Sequence, residues 1–158
     1  MTFHDAPMDN VVLIEGSVTA TEFIEFRRFM GAPDVEMPAA LRTVSNALFT
    51  VCLRDEGRLL GFARVVGDGV LYFYVSDVII HPSLRGGGYG ALLMNSVLGY
   101  LKRSAAPGAT IVVLPLTGRE GFYERFGFKR CPAGHFGIGL YLPLSHGHDS
   151  GDGAGTGV

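Results

Sequence analysis

Hydrophobic positions along this chain repeat with two different periods, and the switches between them mark its elements. Residues 11–15 read as a first strand. Thr19 followed by Glu22 is a capping-box signature, Val18 and Phe23 occupy the staple positions around it, and Phe23, Phe26 and Met30 share one helical face before Gly31. An inward-packed helix over residues 19–30 is therefore expected. A proline-bracketed loop, 31–38, leads to a short helical segment at 39–46, where Leu41 and Val44 form a thin apolar stripe. Residues 48–54 and 59–66 are β-rich and joined by Asp55-Glu56-Gly57-Arg58, which has the chemistry of a hairpin loop. After the turn Gly67-Asp68-Gly69, residues 70–80 are too rich in Tyr, Phe, Val and Ile for anything but a central strand. Three antiparallel strands in succession result.

From residue 90 to 103 the helical period returns: Leu93, Val97 and Leu101 point one way, while Asn95, Gly99 and Lys102 mark a solvated side and Pro107-Gly108 stops the run. Residues 110–114 predict a short buried strand, 120–126 a two-turn helix, and the glycine-punctuated stretch 135–142 one or two further strands. The order predicts an α+β fold in α/β/α layers: a mixed, mostly antiparallel central sheet, parallel in part at its centre, with helices on both faces.

Composition narrows the class. A length of 158 residues fits one domain over 1–144, and the Gly/His-rich stretch 145–158 is expected to be a disordered tail. With 47% hydrophobic residues, 18% charged residues and a net charge of -2, nothing points to nucleic acid, and a small ligand is expected. Cys52 and Cys131 lie far apart in apolar surroundings without metal-type spacing, so buried free thiols, in keeping with a reducing cytoplasm, are expected rather than a disulfide. Residues 1–10 lack an apolar run behind a basic start and do not read as a signal peptide. No apolar stretch approaches the roughly 20 residues that span a bilayer, so no membrane partner is expected. His146 and His148 have no further ligands at useful spacing, so no metal is expected either.

The most informative residues are Arg85-Gly86-Gly87-Gly88-Tyr89-Gly90, between a buried strand and a long helix. At a helix start several N–H groups lack internal partners and the dipole adds positive charge, so an anion completes the hydrogen bonding. Glycines admit a phosphate close to the backbone, and Arg85 can add a charge-assisted contact. A P-loop would need Gly-Lys-Ser/Thr where this turn ends Gly88-Tyr89-Gly90-Ala91. A dinucleotide-binding turn would need a different glycine spacing after the first strand of a βαβ unit.

Val78-Ile79-Ile80-His81-Pro82 followed by this turn resembles the acetyl-CoA signature of the GCN5-related N-acetyltransferases (GNAT), whose pattern is R/Q-x-x-G-x-G/A. Arg85, Gly88 and Gly90 match its fixed positions. Gly121-Phe122-Tyr123-Glu124-Arg125-Phe126-Gly127-Phe128 resembles the second family signature, and the likeness runs from about residue 48 to 128. The resemblance implies that the backbone of Val78, Ile79 and Ile80 pairs with the pantetheine arm of acetyl-CoA, and that Gly86, Gly87, Gly88, Tyr89, Gly90 and Ala91 hold its pyrophosphate. It implies Tyr123 as the acid that protonates the departing thiolate, against the plainer reading of an aromatic core residue. A neutral small-molecule amine is then the acceptor, attacking the thioester directly.

The base is open among Asp77, which either acts through water or pairs structurally, and His81 or His135. Many relatives carry asparagine where this chain has Leu116, with Thr117 or Arg119 as substitutes for a CoA contact. Asp34 and Glu36 are candidates to attract an ammonium group, and Tyr72, Phe73 and Tyr74 to suit an aromatic acceptor or to fill the core. The family often dimerises through terminal strands, for which the segment after Cys131 is the candidate. Alternatives are an acyl-CoA sensor without chemistry, another acyl donor, or an oxygen acceptor.

Overall fold

The structure, a computed structural model, describes residues 10–16 and 18–142. Two compact units divide after Pro115. The first holds β1 (Val12–Glu15), α1 (Ala20–Phe29), α2 (Met37–Ser45), β2 (Phe49–Asp55), β3 (Arg58–Gly67), β4 (Tyr72–Ile80), a 3-10 turn (Pro82–Leu84), α3 (Tyr89–Ser104) and β5 (Thr110–Val113). The second holds α4 (Glu120–Glu124).

Local chemistry explains where these elements begin. The Thr19 side chain accepts the Glu22 N–H at 3.2 Å while the Glu22 carboxylate accepts the Thr19 N–H at 2.9 Å, closing the capping box at the start of α1. Both staple residues, Val18 and Phe23, are buried. Between β2 and β3 the turn residues Glu56 and Gly57 have φ of 47° and 82°, the paired left-handed conformation that a two-residue hairpin requires. Before β4, the Asp68 carboxylate accepts the N–H groups of Val70, Leu71 and Tyr72, which lowers its pKa.

Among the described residues the sheet has the order β1-β2-β3-β4-β5, antiparallel throughout except for the parallel pair of β4 with β5. This is the mixed, mostly antiparallel α+β sheet expected. The parallel pair lies at one edge rather than at the centre, because β5 is the last strand and pairs on one side only. Cys52 and Phe62 face α1 and α2, where Phe23, Phe26 and Ala40 complete a buried cluster. By strand alternation Val51, Leu53 and Val65 face the other way, where α3 lies against β2, β3 and β4. Tyr100 of α3 stacks on Phe49 with centroids 4.7 Å apart and meets Phe73 edge-on at 6.4 Å. Phe62 is fully buried, and truncating such a side chain to Ala costs about 3–5 kcal/mol.

Several expectations need correction. Leu41 is exposed, and the neighbouring Ala40 is buried in its stead, because a small residue lets the short α2 sit close to α1 and turns Leu41 about 100° away. β5 is only partly covered, with Val112 46% exposed. Helix α4 ends two residues early. Cys52 is buried and Cys131 exposed, both as free thiols; Cys131 falls in a Pro132/Gly134 turn, where turn chemistry sets the backbone's path. Residues 135–142 form no strand: the region has only an isolated bridge between Ala133 and Phe136, and Ile138 and Leu140 are exposed. Their alternation fits a strand, but Gly137 and Gly139 weaken it and no described strand pairs with it. The expected tail at 145–158 lies outside the described residues.

Candidate functional site

β4 pairs with β3 from Phe73 to Ile80 on one edge and is paired over a much shorter stretch on the other. Its pairing with β5 runs from Tyr72↔Thr110 to Val75↔Val113 and stops there. At the same point the register with β3 slips by one residue: Arg64 faces Asp77 and Val65 faces Val75, leaving Ser76 as a bulge. Beyond it, the His81 N–H donates to the Leu60 carbonyl on β3 at 2.7 Å. Antiparallel alternation therefore turns the main-chain groups of Ile79 toward β3 and those of Val78 and Ile80 outward, to an edge that β5 does not reach.

A few residues on, the chain prepares a second row of N–H groups. Gly86 and Gly88 have φ of 79° and 81°, a conformation that an L side chain adopts only with strain, and a Cβ at either would meet nothing within 4 Å. Gly88 is the N-cap of α3 and offers no side-chain cap. The first bond of the helical ladder is Leu92 N–H to Gly88 carbonyl at 3.1 Å, so the N–H groups of Tyr89, Gly90 and Ala91 precede it. A Cβ on Gly87 would stand 2.9 Å from the Tyr89 ring, and Arg85 is exposed. Open space, uncapped donors and a nearby cation fit a diphosphate, and the outward edge of β4 fits an extended amide-bearing arm, so these residues suit coenzyme A.

Asp77 is buried at 8% exposure and clasped on both oxygens. Arg64 Nε donates to Oδ2 at 2.9 Å, Ser76 Oγ lies 3.4 Å from the same oxygen, and Arg27 Nη1 stands 3.6 Å from Oδ1. His81 is buried, its ring stacked on Phe29 at 4.9 Å, and its Nδ1 accepts the Ser83 N–H at 3.2 Å. Asp34 pairs with Arg28 at 2.9 Å in solvent. Phe73 is core, Tyr74 half-buried and Tyr72 63% exposed. In the second unit Tyr123 is half-buried, edge-on to Phe122 at 5.0 Å and to Phe128 at 6.0 Å, and Leu116 is 81% exposed.

Residues 45–130, more than half of the chain, match the family model described as an acetyltransferase (GNAT) domain. The chain belongs to the GNAT acetyltransferase family. Serotonin N-acetyltransferase 2, chloroplastic, of Oryza sativa subsp. japonica is 33% identical over 87 residues, 55% of this chain and 42% of the relative. The uncharacterized N-acetyltransferase ycf52 of Porphyra purpurea is 32% identical over 110 residues, 69% of this chain and 62% of the relative. The match thus spans less than two thirds of either relative. Among solved structures, SA2161 from meticillin-resistant Staphylococcus aureus, described as a protein of unknown function and probable acetyltransferase, superimposes with a TM-score of 0.75. It is 28% identical over 85% of this chain and all of its own.

Within this GNAT domain the first unit carries Asp77, Val78, Ile79, Ile80 and the turn from Arg85 to Ala91, and the second carries Tyr123. Sequence reading did not single out Arg27 and Arg64. A signal for Arg64 was present: it interrupts an apolar β run, as Asp77 does in the adjacent strand, and opposite charges at the centres of neighbouring strands need each other. Among the described residues no group of three or more His, Cys, Asp or Glu side chains is arranged to hold a metal, and no helix is long and apolar enough to cross a membrane.

Proposed function

We propose that the protein transfers an acetyl group from acetyl-CoA to the amine of a small molecule. The observation that carries this is the pairing, on one continuous stretch, of an outward strand edge at Val78 and Ile80 with uncapped N–H groups at Tyr89, Gly90 and Ala91. The first suits the pantetheine amides and the second the diphosphate, with Arg85 adding charge. Acetyl-CoA, when bound, supplies the activated acyl group. The Ile80 N–H then donates toward the acyl carbonyl oxygen, a contact whose worth grows as negative charge develops there. Tyr123 is assigned as the proton donor to the departing sulfur, as a phenol of pKa about 10 can be.

Aromatic amines are the first acceptors to try, because one relative is named for serotonin and Tyr72 and Tyr74 stand on β4 with part of their rings uncovered. The test is to incubate pure protein with acetyl-CoA and a panel of amines that includes arylalkylamines, following free thiol. Amine-dependent thiol release is expected. Coenzyme A binding without release for any amine would leave a cofactor-binding module instead, and mass spectrometry of the products separates acetyl from longer acyl groups and nitrogen from oxygen acceptors.

A further inference from the structure

Asp77 follows the bulge directly, and at its carboxylate β4 meets β3 and α1. Arg64 reaches it from β3 and Arg27 from α1, while Arg64 Nη1 also donates to the Thr43 carbonyl on α2 at 3.2 Å. Both guanidiniums lie over the ring of Phe23, at 5.3 and 5.6 Å. The Ser76 hydroxyl, on the bulged residue itself, is 3.2 Å from the Arg64 carbonyl. Two cations thus share one anion in a mostly covered site, and Arg27 Nε is buried with no hydrogen-bond partner among the described residues. Such a cluster is held by its geometry, because removing the carboxylate leaves two desolvated positive charges facing each other.

We propose that the Arg27–Asp77–Arg64 cluster holds the β4 bulge in register and so sets where Val78 and Ile80 present their main chain. Asp77 is then a positioning residue of the acetyl-transfer site and not its base. The reason is the period of a strand: sliding β4 by one residue against β3 would turn the Val78 and Ile80 groups inward and those of Ile79 outward. Ser76 is the residue at which that slip is taken up, and the cluster pins both its neighbour Asp77 and that neighbour's partner Arg64. The proposal rests on coenzyme A occupying this edge.

The test compares wild type with Asp77→Asn and Arg27→Met, reading coenzyme A affinity by calorimetry, kcat against pH, and melting temperature. In both variants coenzyme A affinity is expected to fall about tenfold, the scale of one main-chain hydrogen bond lost at the strand edge. The acid limb of the kcat profile should stay in place, and the double variant should be little worse than Asp77→Asn alone. Arg27→Lys, which keeps the charge, should recover part of the loss. Loss of kcat with unchanged affinity and a vanished acid limb in Asp77→Asn would make Asp77 the base and overturn the proposal. A lowered melting temperature with unchanged affinity and kcat would overturn it too, as a merely structural role. Should Asp77→Asn fail to fold, Arg27→Met leaves the Arg64–Asp77 pair standing and carries the same comparison. Wild type that fails to bind coenzyme A brings down the functional reading itself, and the cluster's role with it.

Discussion

Helices α1 and α3 begin in opposite ways. The start of α1 is sealed by its own side chains: Thr19 and Glu22 bond each other's main chain, and Arg54 adds a two-pronged pair to the Glu22 carboxylate, at 2.6 and 3.0 Å. The start of α3 has a left-handed glycine where a cap would be and no acidic residue in its first turn. Both ends expose the same kind of N–H group and the same dipole. One satisfies them internally and contributes stability, whereas the other leaves them open, as the proposed diphosphate site requires.

The sharpest way to break the contrast is to seal α3. Gly88→Asp places a carboxylate beside the uncapped N–H groups, where it repels a diphosphate, and Gly88→Asn, which meets the same strain at φ 81° without the charge, separates the two effects. Coenzyme A affinity, measured by calorimetry, is expected to fall at least 100-fold, about 2.7 kcal/mol, with far-UV circular dichroism unchanged. Next in size, Tyr123→Phe should lower kcat by about 10²-fold, the usual scale for one general acid, while coenzyme A affinity shifts little; unchanged turnover would remove Tyr123 from the proton path. Opening α1 should have the converse effect of altering Gly88. Thr19→Ala is expected to cost about 1 kcal/mol in a urea titration and to leave coenzyme A affinity alone.

The smallest effect is a pH dependence. The hydrogen bond from Arg54, helped by the Thr19 N–H and opposed by desolvation, holds the Glu22 carboxyl below its ordinary value of 4.5. A group bound more weakly to its proton in the folded state stabilises the fold while ionised. Its contribution is therefore full above about pH 4.5 and is lost as pH falls through the lower folded value. Glu22→Gln should flatten that part of the stability curve, as followed by urea midpoints between pH 6 and 3, about.

The contrast between the two helix starts was legible in the chain because each is written locally. Thr19 and Glu22 are three residues apart, and the glycines flanking Gly87 announce positive φ by their type. The strands of the β2–β3–β4 meander were legible for the same reason, each being joined to the next by a short turn. What the sequence hid depends on distant neighbours. Whether Leu41 or Ala40 faces inward is decided by how closely α2 approaches α1. The stretch 135–142 has strand periodicity, yet periodicity cannot supply a partner. The residues around Asp77 come from α1, β3 and β4, and Arg27 has no local mark that distinguishes it from a solvated helix arginine. The outward turn of Val78 and Ile80 follows from a one-residue bulge at Ser76, which no residue type in the strand signals.

The most direct test of the site is to follow backbone amide resonances of isotope-labelled protein during titration with coenzyme A and, separately, with pantetheine. Coenzyme A should shift the amides of Gly86, Gly88, Tyr89, Gly90 and Ala91 together with those of Val78 and Ile80, whereas pantetheine, lacking the diphosphate, should move only the strand pair. Saturable binding that leaves the amides of the glycine turn unmoved, or no binding, would contradict the assignment.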